Sequence, residues 1–130
     1  MTKKPFLFLI LILSLVLALY NAIAIKLHLY WITNWLDSPS HLLGGFVSIL
    51  ILSTALSFLN FKKIKPNSTP FLFLGVLVVG ILWEIFEVKY HITFPGLPGY
   101  WPDTLSDIFF DLLGATLAYY YLIKSFYDRK

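Results

Sequence analysis

Five of the seven carboxylate side chains in this 130-residue chain fall between positions 84 and 111: Glu84, Glu87, Asp103, Asp107 and Asp111. Their spacing is helical. Glu84 and Glu87 are i, i+3 neighbours and would share one helix face. Asp103, Asp107 and Asp111 follow i, i+4 steps, and Gly114 and Ala118 continue the same stripe. No Lys or Arg occurs from Tyr90 to Ile123; the nearest cationic side chains are His41, His91, Lys89, His28 and Lys26. Carboxylates gathered without matching bases protonate, face water or bind a cation. A divalent ion answers the pattern best: hard ions take roughly six or more oxygen ligands, and a histidine among them suits Mn, Fe or Zn. The expected site is His41, Glu84, Glu87, Asp103, Asp107 and Asp111, with Asp37 and His91 as accessory groups, and the identity of the ion is open. The chain has no cysteine, so disulfides, thiolate nucleophiles and Cys-based zinc sites are excluded. Nor is there a phosphate loop, a nucleotide fingerprint or a nucleophile motif, which leaves open whether the site is catalytic.

The elements that must position these groups follow from composition. The chain is 58% hydrophobic and 13% charged, with a mean hydropathy of +0.78. Soluble domains carry ~25% charged residues, so a water-soluble fold and a disordered chain are both excluded. The net charge of +3 comes from short basic runs at segment ends, without the continuous basic face that nucleic-acid binding needs. Four stretches approach the ~20 apolar residues of a bilayer span: about 6–25, 41–61, 71–88 and 103–123. The expectation is a single domain over residues 1–130, an all-α, integral membrane four-helix bundle. A competing reading makes the first stretch a cleaved signal peptide, with Lys3-Lys4 as its basic region and Ala22-Ile23-Ala24 at the cleavage site.

Loop charge sets the orientation. Eight of the ten Lys and Arg residues lie before span one, between spans two and three, or after span four; only Lys26 and Lys89 lie in the other loops. Both termini are therefore expected in the cytoplasm, in a multi-pass protein of the inner (cytoplasmic) membrane, with connectors 26–40 and 89–102 facing outward. Tyr30, Trp31, Trp35, Tyr100 and Trp101 crowd those connectors like an interfacial belt. Residues 26–37 read as a short interfacial helix, and Pro95-Gly96-Leu97-Pro98-Gly99 and Pro66-Asn67-Ser68 as turns.

With this topology the acids and His41 reach one depth, Asp107 ~6 Å and Asp111 ~12 Å below the start of span four. His41, Gly45 and Ser48 share a face on span two, and small residues there and at Gly114 and Ala118 permit close helix approach. Spans two, three and four should meet around the acids, with span one peripheral. Structural roles compete at each position. Asp103 suits an N-cap, Asp107 the helix macrodipole, and His41 the interface. Glu87 could pair with Lys89 or reach water, and Glu84 could hydrogen-bond another helix. Trp83, Phe109, Phe110, Tyr119, Tyr120 and Tyr121 read most simply as lipid-facing or packing residues.

The segment Trp83-Glu84-Ile85-Phe86-Glu87, followed by Asp103-Thr104-Leu105-Ser106-Asp107 and Asp111-Leu112-Leu113-Gly114-Ala115, resembles the YjdF-like inner-membrane proteins, whose pattern is roughly W-E-x-x-E and then D-T-x-x-D-x-x-x-D-x-x-G-A. The resemblance covers spans two to four, about two thirds of the chain, and implies a small multi-pass helical membrane protein without naming a substrate. Asp37-x-x-x-His41 with a later intramembrane Glu is similar, more distantly, to the VanZ-like proteins. This chain differs from them in having Asp111 where that family usually has Asn, and Glu87 in place of the Gln of E-x-x-Q.

These readings lead to an outward-opening carboxylate/His cluster that binds a divalent metal or polar ligand, with the lipid bilayer as its setting and a lipid or polyprenyl head group as candidate partner. Two alternatives stand beside it. One is a structural or accessory membrane subunit; the other is a cation- or proton-coupled carrier, which with so few spans would be a homo-oligomer.

Overall fold

The computed structural model describes residues 3–33, 35–58 and 69–127, all of them in helices, turns or short irregular links. The order is α1 (Lys3–Lys26), α2 (Leu29–Ile32), α3 (Ser38–Phe58), α4 (Thr69–Lys89) and α5 (Tyr100–Tyr127). Among the described residues, three helices are long and apolar enough to cross a membrane: Phe6–Lys26, Ser38–Leu56 and Thr69–Lys89. The 28 residues of α5 reach ~42 Å at 1.5 Å each, but its N-terminal half carries Asp103, Asp107 and Asp111. The end of the second expected span at 61, the Lys62, Lys63 and Lys65 run, the Pro66-Asn67-Ser68 turn, Arg129 and Lys130 lie outside the described residues. So do the side chains of Lys3 and Lys4.

Each of the three helices that frame the acids carries a proline in its first turn: Pro39, Pro70 and Pro102. Proline is at home there because the first N–H groups of a helix have no intrahelical acceptor anyway. This moves two expected boundaries. The second helix begins at Ser38 rather than 41, and the last begins at Tyr100 rather than 103. Asp103 is consequently inside the first turn of α5 rather than its N-cap, and its own N–H donates to the Gly99 carbonyl at 3.0 Å. Gly99 supplies the left-handed backbone (φ +95°) from which α5 starts. The expected interfacial helix over 26–37 shrinks to the single turn of α2. The reason is local: α1 continues to Lys26, and His28 then takes a left-handed conformation that ends it.

The closest helix pair is α3 against α5, with α4 packed on both. Two glycines make that approach possible. A methyl group at Gly45 would overlap the Asp111 main-chain carbonyl and lie 2.8 Å from its Cα; one at Gly114 would lie 2.9 Å from the Phe46 amide nitrogen and overlap the Leu42 carbonyl. Below the acids, Ile49, Leu50, Leu72, Val76, Ala115 and Ala118 form the dry core. Among the long helices α1 packs on α3 alone. Only 6% of its apolar window is fully buried; Phe6, Ile10 and Leu13 pack on the core while Phe8, Leu11, Leu15 and Leu19 are exposed. Asn21 and Ala24 are its buried residues among those described; Asn21 donates to the Leu17 carbonyl at 3.0 Å and accepts from the Tyr30 hydroxyl at 2.6 Å. Tyr20 donates to the Leu36 carbonyl, a second tie between α1 and the connector. Phe8 on α1, Phe71 on α4, and Phe109 and Tyr120 on α5 are exposed on outward faces, the surface a bilayer requires. Tyr119, by contrast, is half-buried, shares a 2.6 Å hydrogen bond with Thr69 and meets Phe73 edge-on.

Candidate functional site

Glu84, Glu87, Asp107, Asp111 and His41 are all buried, and Asp107 is only 2% exposed. They come from three helices: His41 from the first turn of α3, the glutamates from the last turns of α4, the aspartates from the N-terminal half of α5. Because α5 starts at Tyr100, Asp107 lies beyond its first turn, where the helix dipole has faded and explains little of its placement.

His41 stands between two aspartates. Its Nδ1 is 3.3 Å from Asp111 Oδ2, close enough for an ion pair though not an aligned hydrogen bond, and its Nε2 is 3.9 Å from Asp107 Oδ1. A histidine that gives its Nδ1 proton toward a carboxylate keeps the Nε2 lone pair for a ligand. Glu84 uses one oxygen only: Oε2 accepts from the Thr104 hydroxyl on α5 at 2.8 Å. Glu87 Oε1 accepts from Trp83 Nε1 one turn earlier, at 2.9 Å. Glu87 is buried and held by Trp83, and makes no ion pair with Lys89 among the described residues. Lys89 is exposed, with its ammonium 5.8 Å from the Tyr90 ring centroid.

Asp37 and Asp103 complete the cluster at its outer edge. Their region of the two connectors surrounds a cavity of about 240 Å³, lined also by Tyr30, Trp31, Phe94 and Tyr100. Ligand atoms of His41, Glu84 and Asp107 all lie within 4.8 Å of one another, and so do those of Asp37, Asp103 and Asp107. Five side-chain atoms are buried without a hydrogen-bond partner among the described residues: Asp37 Oδ1, His41 Nε2, Glu84 Oε1, Asp107 Oδ1 and Asp111 Oδ2. Buried polar atoms are nearly always satisfied, so five orphans at one place are the chemical signature of the site. No Lys or Arg pairs with these acids among the described residues. The donor set, one imidazole among several carboxylates, fits a divalent cation.

His91 does not join them. It is exposed, stacks on Phe94 and takes φ +58°. Its N–H donates to the Val88 carbonyl at 3.3 Å while Ile92 N–H donates to Glu87 at 2.9 Å, the paired bonds of a left-handed helix cap. The position needs a residue that tolerates positive φ, which is a structural reason for His91. Two supporting residues escaped the sequence reading. Thr104 stood beside a supposed N-cap, and Trp83 counted as an apolar residue. The i, i+4 spacing of Trp83 and Glu87 is the signal that would have exposed the second.

A second cavity of about 480 Å³ lies between α1, α3 and α4. Leu17, Gly44, Val47, Val79 and Trp83 are among its lining residues, and His41 and Asp111 bring it to the edge of the cluster.

Burial, and next the charge of Asp103, raise the Asp37 carboxyl above its ordinary value of 3.8, against the smaller lowering by His41. An acid whose pKa is higher folded than unfolded favours folding when protonated; that contribution is whole below 3.8 and is lost as pH rises through the folded value. Chelator-treated protein should thus gain thermal stability as pH falls through that window, and Asp37→Asn should flatten the gain. A melting curve unaffected by the substitution across the same pH range would contradict this.

A helical chain with apolar outer faces and acids sequestered between its helices is a membrane protein, small and unusually acidic inside. It belongs to the family described as "Predicted membrane protein (DUF2238)", whose model matches residues 3–128. Neither the curated proteins nor the solved structures provide a match.

Proposed function

We propose that this protein spans the inner membrane four times, with α1, α3, α4 and α5 as spans and both termini in the cytoplasm, and that its carboxylate/His cluster opens outward and binds a divalent cation. The supporting observation is the set of buried, unpartnered atoms that His41, Glu84 and Asp107 direct together from three helices. Ionised acids at that depth are expensive unless compensated, by about 2.5–3.5 kcal/mol each at the bilayer centre and less toward the interface. His41 Nε2, Glu84 Oε1 and Asp107 are the proposed direct ligands. Asp111 orients His41, Thr104 orients Glu84, and Trp83 holds Glu87 beside them.

The proposed ligand class is an amphiphile with a phosphate head, a lipid or polyprenyl phosphate. The apolar cavity beside the cluster supports this, since its volume of about 480 Å³ lies in the ~300–1,000 Å³ range of small-molecule sites. A cation at the cluster would draw the head to that depth and polarise a phosphoryl oxygen. A structural reading has its own support, the Thr104–Glu84 bond that ties α5 to α4.

Elemental analysis separates the two. Protein purified without added metal or chelator is compared with a Glu84→Gln/Asp107→Asn double variant. Near-stoichiometric metal in the first and loss of it in the second is the expected result. Metal in neither, with a double variant that melts well below the parent, overturns the cation site in favour of the structural role.

A further inference from the structure

The cluster resolves into two ligand sets that share one residue. His41, Glu84 and Asp107 make the deeper set; Asp37, Asp103 and Asp107 make the outer one, beside the cavity between the connectors. Within each, the ligand atoms lie no more than 4.8 Å apart. Metal–ligand bonds of ~2.0–2.6 Å place ligands on opposite sides of an ion ~4–5 Å apart, so each set has the dimensions of one ion's shell. The two sets do not merge into a single one at that limit. Each also has a buried, unpartnered atom of its own apart from Asp107: His41 Nε2 and Glu84 Oε1 in the deeper set, Asp37 Oδ1 in the outer. His41 and Glu84 are more than nine-tenths buried, as is Asp107 itself.

We propose that the cluster holds two divalent cations bridged by the Asp107 carboxylate. A carboxylate has two oxygens and so can serve one ion with each. The sets differ in chemistry: the deeper contains an imidazole and suits Mn, Fe or Zn, while the outer is oxygen only and suits Mg, Ca or Mn. Mn is the ion common to both. The outer ion would be flanked by Asp37 and Asp103 at the 240 Å³ cavity, and the deeper one would lie at His41, beside the 480 Å³ cavity. Paired ions ~3.5–4 Å apart clamp the attacking and leaving oxygens of a phosphoryl group, which narrows the ligand class to a phosphoester. This inference rests on the cation site proposed above and adds to it the second ion and the bridge.

The test uses the full chain in detergent or nanodiscs, stripped with chelator, dialysed against Mn²⁺ alone and assayed for bound manganese and its EPR spectrum. The parent should retain two equivalents with the broadened spectrum of spin-coupled ions. Asp103→Asn should retain one, with the sharp six-line spectrum of an isolated ion, and Glu84→Gln should likewise retain one. Asp37 lies just before α3, on a different element from Asp103, so Asp37→Asn carries the same test if Asp103→Asn fails to fold. One equivalent in the parent, unaltered by Asp37→Asn, overturns the second ion and leaves the single site standing. Two uncoupled equivalents overturn the bridge. No bound manganese overturns both readings.

Discussion

Gly45→Ala is expected to separate α3 from α5 and to cost on the order of 3 kcal/mol, the upper end for inserting one methyl into a close-packed contact. The obstacle to the new Cβ is main chain: the carbonyl, carbonyl carbon and Cα of Asp111. Backbone in a helix cannot rotate away, so the helices must move apart. The movement strikes the site as well, because Asp111 faces His41 from that contact. Gly114→Ala should behave alike, against the Leu42 carbonyl. Gly44→Ala is the control: its nearest neighbours would be Asp111 Oδ1 at 3.8 Å and Leu17 Cδ2 at 4.0 Å, ordinary contact distances. Thermal unfolding in detergent should show Gly45→Ala and Gly114→Ala far below the parent and Gly44→Ala near it. Equal melting temperatures for Gly44→Ala and Gly45→Ala would refute the packing. Gly80→Ala belongs between them, since what it meets is the Asp111 carboxylate, a side chain that can turn aside.

Asp107→Asn should abolish cation-dependent stability while leaving the metal-free protein as stable as the parent, or more so. Asp107 is almost fully buried, has no hydrogen-bond partner for Oδ1 and stands among other acids. Removing its charge relieves repulsion within the cluster, whereas removing a ligand weakens the ion. Losing an outer-shell partner of a metal typically costs 10–100-fold in affinity, and Asp107, the residue common to both proposed ligand sets, should cost at least that. At a cation concentration about 100 times the dissociation constant, binding stabilises the folded state by ~2.7 kcal/mol. Chelation should therefore lower the melting temperature of the parent by several degrees and leave Asp107→Asn unmoved. The affinity of the parent should also fall with pH, because every ligand must give up its proton to bind. A chelator shift of equal size in parent and variant would remove Asp107 from the ligand set.

Composition and spacing carry a reader of this sequence a long way. Long apolar runs in a chain so poor in charge have one stable solution, helices in lipid, because backbone groups there must satisfy one another within the segment. The i, i+3 and i, i+4 spacing of the acids dictates shared helix faces, since helical geometry is local and repeats every 3.6 residues. Gly45 and Gly114 were likewise legible as small residues on polar faces. Helix starts were not, because the first turns of α3 and α5, with Pro39 and Pro102, lie ahead of the apolar runs that mark the spans, and a first turn accepts proline.

What period cannot supply is the partner across a gap. His41 and His91 are alike in type and both sit at helix ends, yet one is buried against Asp107 and Asp111 and the other caps α4 in a left-handed turn. Thr104 and Trp83 became significant only when Glu84 and Glu87 were seen to accept hydrogen bonds from them. The division of the acids into two sets around Asp107 has the same origin. Which side chains face each other depends on helix rotation, tilt and depth, and these are set by close contacts such as Gly45 on Asp111. Helix faces are properties of the chain read along its length; convergence of three faces on one point is a property of the packed molecule.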